Sequence, residues 1–331
     1  IRESKPGSRR RWIVGVPRES VARGVPTLSF RAVSLFDSMV AAALPVTPRV
    51  VVGRVARRYI AGETIAEALV TIRAINAVGA ACTVDVLGEF IEDLSEARET
   101  AAEYGRLQEA IAAERANATV SIKLTAFGLL LDEAACGELV RGIAERAARH
   151  GSFLRIDMED SPCTDRTLAL TRSLRADGLP VGTVLQAYLH RTEADARALG
   201  AEGVPIRLCK GIYRELPTIA FQDREAVRDS YRRCLRALFD TGTPVGIATH
   251  DEVLVAHAME LIAELGVPKE RYEFQMLLGV REWLRDEILA KGHRMRIYVP
   301  YGRAWYGYSV RRLRENPAIA GHVFKAMLGF K

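Results

Sequence analysis

Residues 205–211 read PIRLCKG, residues 221–240 read FQDREAVRDSYRRCLRALFD, and residues 244–250 read PVGIATH. The first and third stretches are short β-rich runs that end in polar residues. The middle stretch has the spacing of an amphipathic helix that begins near Asp223. A strand, a helix and a second strand in this order predict two parallel strands joined by a crossover helix.

The same unit recurs from about residue 80 to residue 300. Helical patterns such as EDLSEARETAAEYGRLQEAIAAE (92–114) separate eight β-rich runs. The other six runs are ACTVDVL (81–87), TVSIKLT (119–125), SFLRIDME (152–159), GTVLQAY (182–188), YEFQML (272–277) and RMRIYVP (294–300). Eight such units predict an α/β fold that closes into a (β/α)8 TIM-type barrel. An open doubly wound sheet is the alternative, but the G-x-G-x-x-G expected after its first strand is missing.

The remaining segments flank this barrel. Residues 1–78 contain an Arg-rich N-terminal lead and a helical pattern, AGETIAEALVTIRAINAVG (61–79). We therefore place a lead and accessory helices in 1–78 and the catalytic barrel in 79–331, within one structural domain overall. The prediction includes a C-terminal helix over the barrel mouth.

Composition narrows the class of protein. The 331 residues are 49% hydrophobic and 27% charged, which is enough for one large core. No apolar run reaches the roughly 18 to 20 residues of a transmembrane helix. The net charge is +6, but the basic residues are not accompanied by the aromatic or Gly-rich platforms of nucleic-acid-binding proteins. We therefore expect no nucleic-acid partner. The charge is compatible with peripheral attachment to an anionic membrane surface.

The cysteines bear on the compartment. The chain has five, without a CxxC motif, which indicates neither a zinc site nor a disulfide framework. A reducing cytoplasm fits this pattern, so we expect a cytoplasmic protein, with the inner face of the membrane as the surface that it can approach.

Catalytic residues of (β/α)8 barrels lie at the carboxyl ends of the strands. The polar residues at or near the predicted strand ends are Lys123, Asp157, Glu159, Gln186, Arg207, Lys210, Thr249, His250, Glu273, Gln275 and Tyr298. Charged side chains in otherwise apolar strands are costly to bury unless they are paired, so they indicate a site.

A polar stripe follows the eighth run. Tyr308, Arg311, Arg312 and Glu315 have the i, i+3, i+4, i+7 spacing of one helix face. Two adjacent guanidiniums can hold a planar anion such as a carboxylate through paired hydrogen bonds. The alternative is a solvated charged face.

Several of these residues allow more than one interpretation. Lys123 can be a Schiff-base nucleophile or a cation for an anionic ligand. Asp157, within DMED (157–160), can bind a metal, although the cationic and amide residues around it disfavour this and we predict no metal site. His250 can be a base, a cofactor contact or a helix cap. Some of a group of aromatic residues are expected to wall a flat ligand: Tyr298, Tyr301, Trp305, Tyr306 and Tyr308.

The chain from about residue 61 to residue 331 resembles the proline dehydrogenases, flavin-dependent (β/α)8 enzymes that oxidise L-proline to Δ1-pyrroline-5-carboxylate. The matching blocks, in family order, are SIKLTAFG (121–128), FLRIDMEDS (153–161), VLQAYLHRT (184–192), IRLCKGIYRE (206–215), GIATHD (246–251), YEFQMLLGVR (272–281), IYVPYG (297–302) and YSVRRLRENP (308–317). The pairing of KGxY with RRLxEN is the most specific of these motifs.

The resemblance implies roles for individual residues. Asp157, Arg207 and Tyr298 match catalytic positions, and Lys123, Arg311 and Arg312 match the ligands of the substrate carboxylate. The proline ring would be lined by Tyr298, Tyr308, Leu277 and Tyr213, with Glu315 steadying the arginines. Residues implied to bind FAD are Met158, Gln186, Arg207, Lys210, Gly211, Ile212, Thr249, His250 and Gln275. Cys209 and Ile212 depart from the Val and Ala that are usual in the family.

The resemblance also implies a mechanism, with hydride transfer from C5 of proline to flavin N5. The cations Lys123, Arg207, Arg311 and Arg312 are expected to create a positive field that favours the neutral substrate amine. A membrane quinone would reoxidise the flavin, and a separate pyrroline-5-carboxylate dehydrogenase would use the product. The alternatives are a catalytically silent barrel that binds an amino acid and a Schiff-base lyase that uses Lys123.

Overall fold

The computed structural model of the chain describes residues 57–88 and 91–306. Eight parallel strands form a closed barrel in sequence order, and β8 pairs with β1 to complete it. The strands are β1 (Ala81–Val86), β2 (Ala118–Ile122), β3 (Leu154–Ile156), β4 (Val181–Gln186), β5 (Ile206–Cys209), β6 (Val245–Ala248), β7 (Tyr272–Leu277) and β8 (Met295–Tyr301). The predicted (β/α)8 barrel is therefore confirmed.

Within residues 57–88 and 91–306, one α-helix precedes β1, and one lies between each pair of consecutive strands. The helices are α1 (Ile65–Ala77), α2 (Leu94–Ala113), α3 (Glu133–Arg149), α4 (Ser161–Ala176), α5 (Thr192–Ala201), α6 (Arg224–Thr241), α7 (Glu252–Leu265) and α8 (Glu282–Ala290). Short 3₁₀ turns follow β2, at Leu124–Phe127, and precede β7, at Lys269–Arg271. The C-terminal helix predicted over the mouth lies outside the described residues.

Local capping sets the starts of several helices. The Asp93 carboxylate accepts from the Ser95 N–H at the start of α2, and Asp223 caps α6 in the same way. Thr64 and Glu67 form a reciprocal capping box at the start of α1. These side chains satisfy N–H groups that the first turn of a helix leaves without a partner.

The strands alternate between apolar and polar side chains. Because successive residues of a strand point to opposite faces, one set packs against the helices and the other fills the barrel. Among the buried apolar residues of the core are Cys82, Val84, Val120, Ile122, Leu154, Ile156, Leu208, Ile247, Phe274, Met276, Ile297 and Val299. The polar set includes Thr83, Asp85, Ser121, Arg155, Asp157, Arg207, Glu273, Gln275, Arg296 and Tyr298. The hydrophobic core thus lies outside the sheet, and the barrel interior is polar.

Helix α1 closes the helical layer beside the first and last strands. It contacts both β1 and β8, and its residues Ala68, Leu69, Ile72 and Ile75 are buried in the core. Among the described residues, the structure has no helix that combines the length and apolarity needed to cross a membrane.

Candidate active site

A cavity of about 240 Å³ lies at the carboxyl-terminal mouth of the barrel. It gathers most of the site residues that the sequence predicts. Those that line it are Lys123, Asp157, Met158, Gln186, Arg207, Lys210, Gly211, Ile212, Tyr213, His250, Gln275, Leu277 and Tyr298. The four residues of the polar stripe, Tyr308, Arg311, Arg312 and Glu315, lie outside the described residues.

Asp157 is the centre of a hydrogen-bonded cluster at the base of this cavity. Its Oδ1 accepts from Arg207 Nη1 at 2.6 Å and from the Ser121 hydroxyl at 2.7 Å. Its Oδ2 accepts from the Tyr298 hydroxyl at 3.0 Å. Charge-assisted bonds of this kind hold a side chain in a fixed orientation, so Asp157 fixes the positions of both Arg207 and Tyr298.

Lys123 forms a buried ion pair with a residue that the sequence analysis did not select. Its Nζ donates to Asp85 Oδ2 at 2.7 Å and to the Tyr298 hydroxyl at 3.2 Å. Asp85 is 1% exposed and also accepts from the Tyr104 hydroxyl. Burial raises the pKa of Asp85, Lys123 lowers it, and the nearby Asp157 raises it again, with a net upward shift. Asp85 thus holds Lys123 in place without itself lining the cavity.

Arg207 is held from a second side by Gln275. Its Nε donates to Gln275 Oε1 at 2.6 Å, and the amide of Gln275 in turn donates to Glu273 Oε1 at 2.7 Å. The Glu273 contact fixes which end of the amide faces Arg207. The guanidinium centre also lies 5.4 Å from the centroid of the Tyr298 ring, within the range of a cation–π interaction.

The third cation of the mouth, Lys210, is paired with Asp251. Lys210 Nζ lies 3.1 Å from Asp251 Oδ2, and Arg228 donates to both oxygens of the same carboxylate, at 3.0 and 2.8 Å. Burial of Asp251 opposes ionisation, but the hydrogen bonds from Arg228 and Lys210 outweigh it and lower the pKa to about 2. Asp251 also caps α7 through the Val253 N–H.

The walls of the cavity combine apolar side chains with side-chain amides and exposed backbone. Met158 and Leu277 are apolar, and the Gln186 amide donates to the Glu159 carbonyl at 2.8 Å. Gly211 has a φ of +110°, and a Cβ there would lie 2.1 Å from the Tyr188 ring. Only glycine fits this point, so the backbone after β5 borders the cavity without a side chain.

His250 also lines the cavity. Its Nε2 accepts from the Leu277 N–H at 2.9 Å. This contact fixes a tautomer with the proton on Nδ1. The helix cap considered for His250 is formed by its neighbour Asp251 instead.

The two residues that depart from the family pattern both border the cavity. Burial raises the pKa of Cys209 to about 11, so its thiol is uncharged near neutral pH. Ile212 is 42% exposed, so part of its side chain faces solvent. The neutral Cys209 contributes bulk without adding charge to the mouth.

Four residues lie elsewhere than the sequence analysis expected. The Thr249 hydroxyl accepts from the Asp251 N–H, and Thr249 is not among the residues that line the cavity; its implied contact with FAD stays a prediction. Glu159 bonds to the backbone and hydroxyl of Thr125, tying the ends of β3 and β2 together. Tyr301 is buried outside the barrel with its hydroxyl on Glu103, so it does not wall a ligand.

Glu273 is the fourth. It is the second residue of β7, near the amino end of that strand, where it pairs with Arg296 at 2.6 Å. The desolvation of Glu273 is outweighed by Arg296, which lowers the pKa of the carboxyl. Its contribution to the mouth is indirect, through Gln275.

The arrangement suits a flat ligand with a polar edge beside a small anion. Apolar side chains border the cavity with the amides of Gln186 and Gln275, which offer hydrogen bonds to such an edge. Asp157 and Gln275 hold the Arg207 guanidinium in place, and Tyr298 joins it through Asp157 to Lys123.

Comparison with known proteins identifies the family. The family model described as proline dehydrogenase matches residues 68–325. The chain is 37% identical over 273 residues to proline dehydrogenase 1 of Bacillus subtilis (strain 168), covering 82% of this chain and 90% of the relative. It is 38% identical over 280 residues to proline dehydrogenase of Deinococcus radiodurans, and this match also covers 82% of this chain and 90% of the relative.

The solved structures agree with these relatives. The barrel superposes with a TM-score of 0.74 on proline utilization A (PutA) from Bdellovibrio bacteriovorus inactivated by N-propargylglycine, at 27% identity. That match covers 79% of this chain and 32% of the PutA chain, so this chain spans about a third of that larger protein. With the family model matched over most of its length, the chain belongs to the proline dehydrogenase family and is an oxidoreductase that acts on proline.

Proposed function

We propose that this chain is an FAD-dependent enzyme that oxidises L-proline to Δ1-pyrroline-5-carboxylate. The observation that carries the proposal is the single cavity in which Asp157, Arg207, Lys123 and Tyr298 form one connected network. Most of the described residues that the resemblance implies for flavin and for proline line this cavity, with Thr249 as an exception, and it lies at the end of the barrel where enzymes of this fold carry out their chemistry.

The residues present fit a flavin. Gln186, Gln275 and Arg207 would hold the polar edge of the ring system, Met158 would lie against it, and Lys210 and Gly211 would follow the cofactor away from the ring. Gly211 lines the cavity through its backbone, while the Tyr188 ring fills the space where a Cβ would lie and so requires glycine there. FAD bound in this position would accept a hydride from C5 of proline at its N5 atom.

The protein's own contribution is to hold the substrate. Lys123 would bind the proline carboxylate together with Arg311 and Arg312, which lie outside the described residues. The Tyr298 hydroxyl bonds to Lys123 and Asp157, and its ring lies within 6 Å of the charged groups of Lys123 and Arg207. We expect this ring to pack on the proline ring while the hydroxyl holds Lys123 and Asp157 in place. Positioning of this kind lowers the entropic part of the barrier.

The charge of the described inner cluster differs from the sequence-based expectation. Lys123 is paired with Asp85 and Arg207 with Asp157, so these four groups sum to zero instead of forming a cationic excess. The substrate amine must be neutral before C5 can lose a hydride. Any positive field that favours the neutral amine would therefore come from Arg311 and Arg312, with Lys123 and Arg207 already compensated.

We also propose the partners of the reaction. A membrane quinone would take the electrons, and a separate Δ1-pyrroline-5-carboxylate dehydrogenase would consume the product. Support for the second partner comes from the bifunctional protein PutA of Escherichia coli, of which this chain matches only 23% at 27% identity.

Two other functions predict different results. A Schiff-base lyase would need a neutral amine on Lys123, whereas its Nζ here lies 2.7 Å from the buried carboxylate of Asp85 in an ion pair. A silent binding barrel would bind proline without oxidising it. The discriminating experiment mixes the FAD-loaded protein with L-proline without oxygen and measures the product formed per flavin reduced by mass spectrometry.

A ratio near one supports the proposal. Proline binding without product favours the silent barrel, and borohydride trapping of a carbonyl compound on Lys123 favours the lyase. Either of these two results contradicts the proposed function.

A further inference from the structure

A second cavity, of about 280 Å³, lies at the opposite, amino-terminal mouth of the barrel. Its lining includes residues that immediately precede or begin strands, among them Phe153, Pro205, Pro244 and Tyr272. The chemistry assigned to this family of enzymes is placed at the carboxyl-terminal mouth. The second cavity therefore has no role in the function proposed above.

The charged residues that line this cavity are mostly cationic. Besides Arg207, which is paired with Asp157, the lining contains four arginines and two glutamates: Arg155, Arg271, Arg294, Arg296, Glu270 and Glu273. Glu273 is engaged twice, by Arg296 Nε at 2.6 Å and by the Gln275 amide at 2.7 Å. Its second oxygen lies 3.8 Å from Arg294. One carboxylate is thus shared between two guanidiniums.

Arg155 is the most deeply buried of these cations, at 8% exposed. Its Nη1 donates to the carbonyl oxygens of Thr183 at 2.8 Å and Pro205 at 2.6 Å. Both partners are neutral, and both bonds use the same nitrogen. Burial, followed by the charge of Arg207, lowers the pKa of Arg155. An anion near this guanidinium would offset the cost of burying its charge.

An unsatisfied hydroxyl provides an independent indication of a ligand. Thr83 lines the cavity and is 1% exposed, yet its Oγ1 has no hydrogen-bond partner in the described part of the chain. Buried polar atoms without a partner are rare and costly. Thr119, on the adjacent strand, lines the same cavity and accepts from Arg296 Nη1 at 3.3 Å.

We propose that this cavity binds a small oxyanion, held by Arg155, Arg294 and Arg296 and by the Thr83 hydroxyl. Guanidiniums match the geometry of carboxylate and phosphate oxygens, and a hydroxyl donor completes the set. The volume suffices, since one water occupies about 30 Å³ of liquid. The shared chemistry is the oxyanion group, from inorganic phosphate or from a small carboxylate.

The test is isothermal titration calorimetry on the full chain with its flavin. Sodium phosphate and sodium acetate are titrated separately, at an ionic strength fixed with sodium chloride. We expect saturable binding of at least one of the two, which also distinguishes a phosphate ligand from a carboxylate. Because the site proposed at the other mouth also takes a carboxylate, only the part of acetate binding that the cavity variants weaken is assigned to this cavity. Thr83→Val, which preserves side-chain shape, and Arg294→Gln, at a half-exposed side chain, should each weaken binding about tenfold or more.

Arg236→Gln is the matched control. Arg236 is as exposed as Arg294 and pairs with Glu264 on the outer surface, so the substitution removes the same charge far from the cavity and should change the Kd less than twofold. The proposal is overturned if neither anion binds beyond the chloride background, or if Thr83→Val and Arg294→Gln bind as the unaltered chain does. It is also overturned if Arg236→Gln weakens binding as much as they do, because the effect would then come from net charge.

Discussion

Lys123 Nζ lies 2.7 Å from Oδ2 of Asp85, a carboxylate that is 1% exposed. Removing one partner of such a pair leaves an uncompensated buried charge, which typically costs about 3 to 5 kcal/mol. We expect Asp85→Asn and Lys123→Met each to lower the free energy of unfolding by about 3 kcal/mol, and the double variant to cost clearly less than their sum. Urea denaturation of all four forms measures this coupling.

The exposed pair Arg236–Glu264 is the control for this comparison of single and double variants. Both of its side chains are about half-exposed, so solvent screens the pair, and Glu264→Gln should have little effect on unfolding. Additive effects of Asp85→Asn and Lys123→Met would show that the two residues do not stabilise each other.

Gln275→Leu removes the acceptor that holds Arg207 Nε at 2.6 Å. A hydrogen bond to a charged group contributes about 1.5 kcal/mol, so we expect the Kd for FAD to rise about tenfold in a fluorescence titration. Gln108→Leu is the matched control, because Gln108 is equally buried but bonds to the Ile143 carbonyl, away from the mouth. Unaltered FAD binding by Gln275→Leu would argue against a role for Arg207 at the cofactor.

Asp251 gives a prediction about acid stability. Its pKa is lowered to about 2 in the folded chain, so its ionised form stabilises the fold above its unfolded pKa of about 3.9. This contribution, on the order of 2 kcal/mol at pH 7, is lost as the pH falls from about 4 towards 2. Asp251→Asn keeps a residue that can cap α7 but loses the charge.

The measurement is denaturation of the Asp251→Asn variant and the unaltered chain at pH 7, 4 and 3. The difference in unfolding free energy should persist at pH 4 and fall to roughly half by pH 3. Asp229→Asn, at an exposed side chain of α6, should show no such trend. A difference that stays constant down to pH 3 would contradict the assigned pairing with Arg228 and Lys210.

Arg312→Met tests the carboxylate clamp that the sequence predicts. Loss of one charge-assisted bond costs about 1.5 to 3 kcal/mol, so KM for proline should rise on the order of 10- to 100-fold with a smaller change in kcat. Arg233→Met, at an arginine of α6 whose side chain is half-exposed, serves as the control in the same steady-state assay. A KM within twofold of that of the unaltered chain would exclude Arg312 as a carboxylate ligand.

The fold was predictable because eight β-rich runs alternate with helices whose starts carry capping residues. Asp93 and Asp223 lie at the predicted starts of α2 and α6. Strand lengths were less predictable, since β3 keeps only Leu154–Ile156 of the eight-residue run SFLRIDME. The Asp157 N–H still donates to the Ile122 carbonyl at 2.8 Å, and the pairing of β3 with β2 ends there.

The site was predictable where a polar residue stands at the carboxyl end of a strand. The structure brings Asp157, Gln186 and Lys123 together as that rule expects, while their roles toward proline and FAD remain predictions. Asp85 was missed because it is the fifth of the six residues of β1 and no motif points to it. The charge within the apolar run ACTVDV was the available signal.

The stagger of the strands explains the misplacement of Glu273. Sequence does not show how far each strand extends along the barrel axis, and Glu273 enters near the amino end of β7. It therefore lies below Gln275 and contacts Arg296 instead of the mouth. The height of a side chain along the barrel axis depends on the register between neighbouring strands. The sequence of a single strand does not show that register.

The most direct test of the central claim is the absorbance spectrum of the purified, FAD-loaded chain before and after L-proline in the absence of oxygen, with dithionite as the chemical reductant for comparison. We predict a yellow protein whose flavin band is bleached by proline as fully as by dithionite. A protein bleached by dithionite alone, or a colourless protein that cannot be reconstituted with FAD, would contradict flavin-dependent oxidation of proline at this site.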